Sequence, residues 1–389
     1  MRRVFVLVLD SLGVGATPDA ASFGDEAAHT LDHLVEAAGG LDAPRLRAIG
    51  LGNIEGVHSL GAVDAPEGAF GRMAEVSPGK DTPTGHWEMM GCPLDTAFPL
   101  FPDGFPADIL AEIAERAGID GWLGNYPASG TVILDALGPE HMASGKPIAY
   151  TSGDSVFQIA AHTGTFGLER LYDVCRVARE VLDRLNVGRI IARPFIGEPG
   201  AFQRTYDRKD WSIPPPTDTS LDRLMAAGVP TIGVGKISDI FAGRGVSRSV
   251  HSEGNDDGMA HTLELADELD GGLVFLNLVD FDSLYGHRRD PKGYRAALET
   301  FDGQLAQLEA KLRPDDLVLM TADHGNDPTF YDSSDHTREY VPALVIGPGV
   351  KPGVDLGTRS SFADLGATVE EAFGLSPVVG TSFLSAFQQ

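Results

Sequence analysis

Three runs of apolar, mostly β-branched or leucine residues stand out along the chain: Val4–Leu9 (VFVLVL), Leu273–Val279 (LVFLNLV) and Leu317–Thr321 (LVLMT). Uninterrupted apolar runs of this length predict parallel strands that helices cover on both faces. Tyr294, Leu298, Phe301, Leu305, Leu308 and Leu312 step by four and three. That spacing predicts one buried face of an amphipathic helix leading into the strand at Leu317. Val341–Ile346 (VPALVI) predicts a further strand, and Phe362–Phe373 a helix ended by Gly374. Strands followed by helices on both sides of the chain's middle indicate an α/β core.

The middle reads differently. Phe98-Pro99-Leu100-Phe101-Pro102-Asp103-Gly104-Phe105-Pro106 is too rich in proline for an interior helix or a central strand. Ile213-Pro214-Pro215-Pro216-Thr217 is a second stiff, extended stretch. Between them lie an amphipathic helix, Leu168–Leu185, and strand candidates around Thr131–Leu134 and Arg189–Ala192. The expected organisation is a three-layer α/β/α core formed by residues 1–97 and 215–389, interrupted by an inserted α+β cap domain, 98–214. No fixed-period repeat is evident.

Composition narrows the function classes. With 389 residues, 42% of them hydrophobic and 22% charged, the chain has ample core, so disorder and fibrous architectures are excluded. A net charge of −26 repels nucleic acid and anionic membranes, and any anionic substrate needs local cations. Cys92 and Cys175 are too few for a disulfide framework. Met1-Arg2-Arg3 opens like a signal peptide, but Asp10 ends the apolar run after six residues, short of the usual hydrophobic core of about 7–15. No apolar stretch approaches the roughly 20 residues of a membrane span. A cytoplasmic location is expected.

Asp10, Asp282 and the pair Asp323–His324 each follow one of the three apolar runs. In parallel sheets the ligand site lies beyond the carboxyl ends of the strands, so these residues converge there. His287 and His336 occupy the loops leaving the same edge. Carboxylates crowded in this way repel one another unless cations lie between them, which predicts a metal site with two ions. Mixed oxygen and imidazole ligands suit manganese or zinc better than calcium. Asp280, Asp327 and Asp335 either support this centre or are solvated.

In Gly79-Lys80-Asp81-Thr82-Pro83-Thr84-Gly85-His86-Trp87-Glu88, Pro83 suits the first turn of a helix, with Thr82 as its N-cap. A hydroxyl at the positive end of a helix is well placed to carry a phosphoryl group. Thr84 is the competing hydroxyl, and His86 either meets a phosphate or bonds within the loop. Arg189, Arg193, Arg204, Arg208 and Lys209 concentrate positive charge in the inserted segment, and guanidinium forks match phosphate oxygens. Tyr150-Thr151-Ser152-Gly153-Asp154-Ser155 is a polar turn able to line a sugar site. P-loop, GxGxxG and GxSxG motifs are absent.

Together these stretches resemble the prokaryotic, manganese-dependent phosphopentomutases, within the alkaline phosphatase superfamily. The resemblance runs almost end to end. It is carried by Leu9–Gly15, Gly79–Glu88, Tyr150–Ser155, Ile191–Phe195, Gly235-Lys236-Ile237-Ser238-Asp239, Leu278–Asp290, Thr321–Pro328 and Asp335–Pro342. It implies two Mn2+ ions, one held by Asp10, Asp323 and His324 beside the nucleophile, the other by Asp282, His287 and His336. It implies that Thr82 is phosphorylated, and that Ser152, Asp154, Arg189 and Arg204 bind the sugar phosphate. Pro83 stands where relatives often have methionine. The implied reaction interconverts α-ribose 1-phosphate and ribose 5-phosphate, and the 2-deoxyribose pair, through a pentose bisphosphate. A sugar bisphosphate such as glucose 1,6-bisphosphate would prime the enzyme. The rival readings are a phosphohydrolase of the same superfamily, a metal-dependent phosphoglycerate mutase, whose nucleophile is a serine in another local motif, and an idle metal- or sugar-phosphate-binding protein.

Overall fold

The computed structural model describes residues 2–152, 155–331 and 335–388. The chain divides into two compact units, Met1–Ala97 with Pro215–Gln389, and Phe98–Pro214.

The first unit is built on an eight-stranded sheet. Its spatial order is Arg248–Val250, Thr231–Val234, Gly272–Leu278, Arg3–Leu9, Leu317–Thr321, Val341–Ile346, Ala69–Met73 and Val354–Arg359. The first five strands are mutually parallel, and Val341–Ile346 runs antiparallel to both of its neighbours. The three apolar runs are thus adjacent central strands, with Arg3–Leu9 in the middle. Every residue of these three strands is buried, so both faces of the sheet are covered there. The helix Pro291–Glu309 buries Tyr294, Leu298, Phe301, Leu305 and Leu308, the predicted face, and packs against Thr30–Ala38 and Asn255–Glu268. It ends before Leu312, whose place is in the turn leading to the next strand. The last predicted helix spans Ala363–Ala372, and Gly374 follows at φ 79°, the left-handed conformation that closes a helix.

The second unit has its own six-stranded sheet, ordered Leu123–Pro127, Ile148–Thr151, Val156–His162, Arg189–Ile196 and Gln203–Arg204, with Lys209–Ser212 also paired to Arg189–Ile196. The helix Leu168–Leu182 covers it through Leu171, Val174, Cys175, Ala178 and Val181, and Asp183–Leu185 adds a tighter final turn. Thr131–Leu134, expected as a strand, is instead the first turn of the helix Gly130–Ser144. The buried positions Gly130, Ile133, Leu134, Gly138 and His141 recur at helical spacing, and Ser129 accepts a capping bond from the Val132 N–H. Tertiary burial and the cap override the strand preference of Thr-Val-Ile. No helix among the described residues is long and apolar enough to cross a membrane.

Candidate metal centre

Strand register explains why residues distant in sequence meet. Val8 pairs with Asn277 on one side and with Thr321 on the other, so Asp10, Val279 and Asp323 leave the sheet side by side. Immediately after Asp10, Ser11 adopts φ 76°, a strained value for a residue with a Cβ. That turn aims the Ser11 N–H at Asp323 Oδ1, 3.1 Å away. After the neighbouring strand, Phe281–Gly286 forms a wide π-type turn in which the His287 N–H donates to Asp282 O at 2.9 Å. Such turns gather side chains that an α-helix would spread apart.

All six predicted ligands come together in the first unit. Asp282 Oδ2 lies 3.2 Å from His287 Nε2, which lies 3.2 Å from His336 Nε2. His324 Nε2 stands 3.5 Å from Asp10 Oδ1 and 3.3 Å from Asp323 Oδ2. Two ligand sets, Asp282–His287–His336 and Asp10–Asp282–His324, bring their donor atoms within 4.8 Å of one another. Asp282 therefore reaches both sets, while Asp323 sits between His324 and His86.

The carboxylates share a common design. Asp10 Oδ2 accepts from Asn277 Nδ2 at 2.8 Å and Asp323 Oδ1 accepts from Ser11 N, whereas Asp10 Oδ1 is buried without a hydrogen-bond donor and Asp323 Oδ2 has only the imidazoles of His86 and His324 beside it, at 3.1 and 3.3 Å. Buried carboxylate oxygens left in this way are expensive unless a cation takes them. The donor set of carboxylate oxygens and imidazole nitrogens fits a divalent transition metal. Electrostatics agrees. Burial and the charges of Asp323 and Asp282 push Asp10 up to about 7. Burial also opposes charge on Asp323, but His324 and His86 hold its carboxyl down at about 2. Asp282 is likewise buried, yet His336 and His287 hold it well below the usual carboxylate range.

Thr82 Oγ1 lies 3.3 Å from His324 Nε2. Its helix, Thr82–Met89, begins one residue earlier than the sequence suggested. Asp81 is the N-cap, Thr82 the first helical residue and Pro83 the second. The Asp81 carboxylate accepts from Thr84 N at 3.1 Å and from Thr84 Oγ1 at 2.7 Å, a stronger cap than a threonine hydroxyl. Thr84 is thereby buried and committed, and Thr82 is relieved of capping. Arg338, two residues past His336, donates to the carbonyls of Glu75, Ser77 and Gly79 and to the Glu75 carboxylate. It fastens the segment that leads to Thr82.

In the second unit Arg193, Arg204 and Arg208 line a cavity of about 350 Å³ with Pro194, Thr205 and Tyr206. Burial and the like charges of Arg208 and Arg204 depress Arg193 to about 10. An anion in this cavity would relieve that repulsion. Arg189 is not among the lining residues; its guanidinium lies 3.9 Å from Asp210. Ser152 Oγ is 3.5 Å from Gln158 Nε2, and Asp154 lies outside the described residues.

Some supporting groups escaped the sequence reading. His86 is fully buried against Thr82 and Asp323 instead of facing a ligand. Asn326 Nδ2 donates to Asp282 Oδ1 at 2.7 Å, and its Oδ1 accepts from Arg289 at 2.6 Å. Lys236, in the turn after Thr231–Val234, is close enough to favour ionised Asp10. Asn277 carried a visible signal, being the one polar side chain in LVFLNLV.

The model of the metalloenzyme superfamily matches residues 2–377. A phosphopentomutase of Anaeromyxobacter dehalogenans is 56% identical over 384 residues, covering 99% of this chain and 98% of that one. One of Symbiobacterium thermophilum is 54% identical over 96% of this chain and 95% of its own. Among solved structures, a phosphoglycerate mutase of Leishmania mexicana aligns over 96% of both chains with a TM-score of 0.51 and 13% identity, a likeness of fold alone. The conjunction of clustered ligands, superfamily match and near full-length identity places the chain in the metalloenzyme superfamily, as a member of its phosphopentomutase family.

Proposed function

We propose that the protein is a pentose phosphate mutase that interconverts α-ribose 1-phosphate and ribose 5-phosphate, and the 2-deoxyribose pair, with Thr82 as phosphate carrier. The observation that carries this reading is the Thr82 hydroxyl, free of capping duty and 3.3 Å from His324 Nε2 at the edge of the ligand cluster. Asp10, Asp323 and His324 would hold one Mn2+ and Asp282, His287 and His336 the other. When bound, such cations offset charge on the attacking and leaving oxygens of an in-line transfer.

In the resting protein Thr82 Oγ1 bears the phosphoryl group. The sugar hydroxyl takes it: the Thr82 O–P bond breaks, a sugar O–P bond forms, and the hydroxyl proton passes in net to Thr82. The resulting pentose 1,5-bisphosphate turns over and returns its other phosphate to Thr82. The helix N-terminus at Thr82 favours the extra negative charge. The arginine cavity, with Arg204, holds the phosphate that does not react, aided by Arg189, Ser152 and Asp154. A sugar bisphosphate such as glucose 1,6-bisphosphate primes protein that has lost its phosphate. Small, soluble metabolites as substrates go with a cytoplasmic location.

Intact-mass and peptide measurement should place one phosphate on Thr82 and none on Thr84. Thr82→Ala should abolish isomerisation while Mn2+ content stays normal. Full isomerisation by that variant would overturn the reading, and so would steady release of inorganic phosphate from ribose 5-phosphate by the unaltered protein, the mark of a hydrolase.

A further inference from the structure

Asn277 is 1% exposed in a strand of otherwise apolar side chains. Its Nδ2 donates to Asp10 Oδ2 at 2.8 Å and lies 3.4 Å from His86 Nε2. A carboxylate oxygen requires a donor, so the amide is oriented with its nitrogen toward Asp10, and its second hydrogen is available to His86. On the far side of the ring, His86 Nδ1 presents a hydrogen to two oxygens. That nitrogen lies 2.9 Å from the Thr82 carbonyl oxygen and 3.1 Å from Asp323 Oδ2. The chain of contacts runs from Asp10 through Asn277 and His86 to the backbone of Thr82, and none of the linking side chains meets solvent. Gly85 keeps it short: a Cβ there would fall 2.0 Å from Asp323 O, so any other residue would push the helix off the metal-binding loop.

We propose that Asn277 and His86 are positioning residues that hold Thr82 in register with Asp10 and Asp323. The inference rests on the two-cation, Thr82-carrier reading above and extends it to side chains that touch neither cation nor substrate. A neutral amide suits the Asp10 end of this chain: Asn277 fixes one oxygen of Asp10 and leaves the other for a cation. Groups behind metal ligands orient them in this way and typically change metal affinity or activity about 10–100-fold when removed.

The test uses the full chain stripped of metal and titrated calorimetrically with Mn2+ alone, beside transfer assays at saturating Mn2+. Asn277→Ala should weaken Mn2+ binding by about 10–100-fold. His86→Phe should keep the wild-type number of ions. It should lower kcat by about tenfold or more without raising KM for ribose 5-phosphate. His86→Asn, whose amide reaches the place of Nδ1, should recover most of that loss. Thermal melting of the Mn2+-loaded proteins reports folding, and Asn277→Leu, similar in volume, replaces the alanine variant if that one does not fold. Wild-type Mn2+ affinity in a folded Asn277 variant overturns the proposal, as does wild-type kcat in His86→Phe or no recovery in His86→Asn. If the unaltered protein binds no Mn2+, or never carries phosphate on Thr82, the functional reading falls first and takes this one with it.

Discussion

Thr82 and Thr84 present the same hydroxyl two positions apart, and their partners set them in different surroundings. Thr84 is tied to Asp81, whereas Thr82 faces His324. The same logic governs Asp10, whose carboxyl is raised to about 7 from its ordinary 3.8. A carboxyl raised on folding binds more protons in the folded state. Its stabilising contribution is complete below the unfolded value and is lost as pH rises through 7. Asp323, held at about 2, contributes oppositely: its stabilisation is present above about pH 4 and is lost only as pH falls toward 2. Between pH 4 and 7 Asp10 therefore sets the slope of the pair. Metal-free protein should melt at a lower temperature at pH 8 than at pH 5.5, and Asp10→Asn should flatten that difference. A proton competing for Asp10 should also weaken Mn2+ binding by up to about tenfold per pH unit below 7. Differential scanning fluorimetry and calorimetry at several pH values check both. A profile identical to that of Asp10→Asn would remove Asp10 from the charged cluster.

At the scale of elements, the helix Gly130–Ser144 shows how a local preference is overridden and what the outcome supports. Its first residue lies against the Arg204 guanidinium. A Cβ on Gly130 would fall 1.3 Å from Arg204 Nη2 and 2.9 Å from the Tyr150 hydroxyl. Gly130→Ala should therefore expel the guanidinium from the arginine cavity while the helix persists, since alanine favours helix more than glycine does. If Arg204 binds a phosphate, losing that charge-assisted contact weakens ribose 5-phosphate binding by about 10–150-fold, or roughly 1.5–3 kcal/mol. Arg204→Ala should match Gly130→Ala, and both should leave Mn2+ binding unchanged. Wild-type affinity for the sugar phosphate in Arg204→Ala would show that this cavity is not the phosphate site.

For the whole molecule, the division at Ala97/Phe98 and Pro214/Pro215 separates two chemistries. Every predicted metal ligand and Thr82 belong to one unit, and the arginine cavity belongs to the other. The segment 98–214 has its own sheet and two apolar clusters of its own, one around Phe157, Leu171 and Cys175, the other around Ile133, Tyr150 and Phe195. Expressed alone, it should fold with a single cooperative thermal transition followed by circular dichroism, and it should bind no Mn2+. A broad, non-cooperative melt would mean that its stability depends on the remainder of the chain.

The sequence by itself determined the central strands, the long helix after Asp290 and the gathering of Asp10, Asp282, His287, Asp323, His324 and His336. Each of these is written in a local pattern, an apolar run or a helical stripe, or follows from the rule that parallel strands deliver their loops to one edge. Tertiary structure alone decided the rest. Whether Thr131–Leu134 is strand or helix depended on what its side chains are buried against. Whether Asp81 or Thr82 caps the helix depended on competition between a carboxylate and a hydroxyl for the same N–H. Which arginines share a cavity depended on the strand pairing that sets Arg204 beside Phe195, at the end of its strand away from Arg189. The roles of His86 and Asn326 were invisible for the same reason, and Asn277 showed only as a polar residue in an apolar run. A side chain that orients another is recognised by a distance across the fold, and one-dimensional spacing carries no record of that distance.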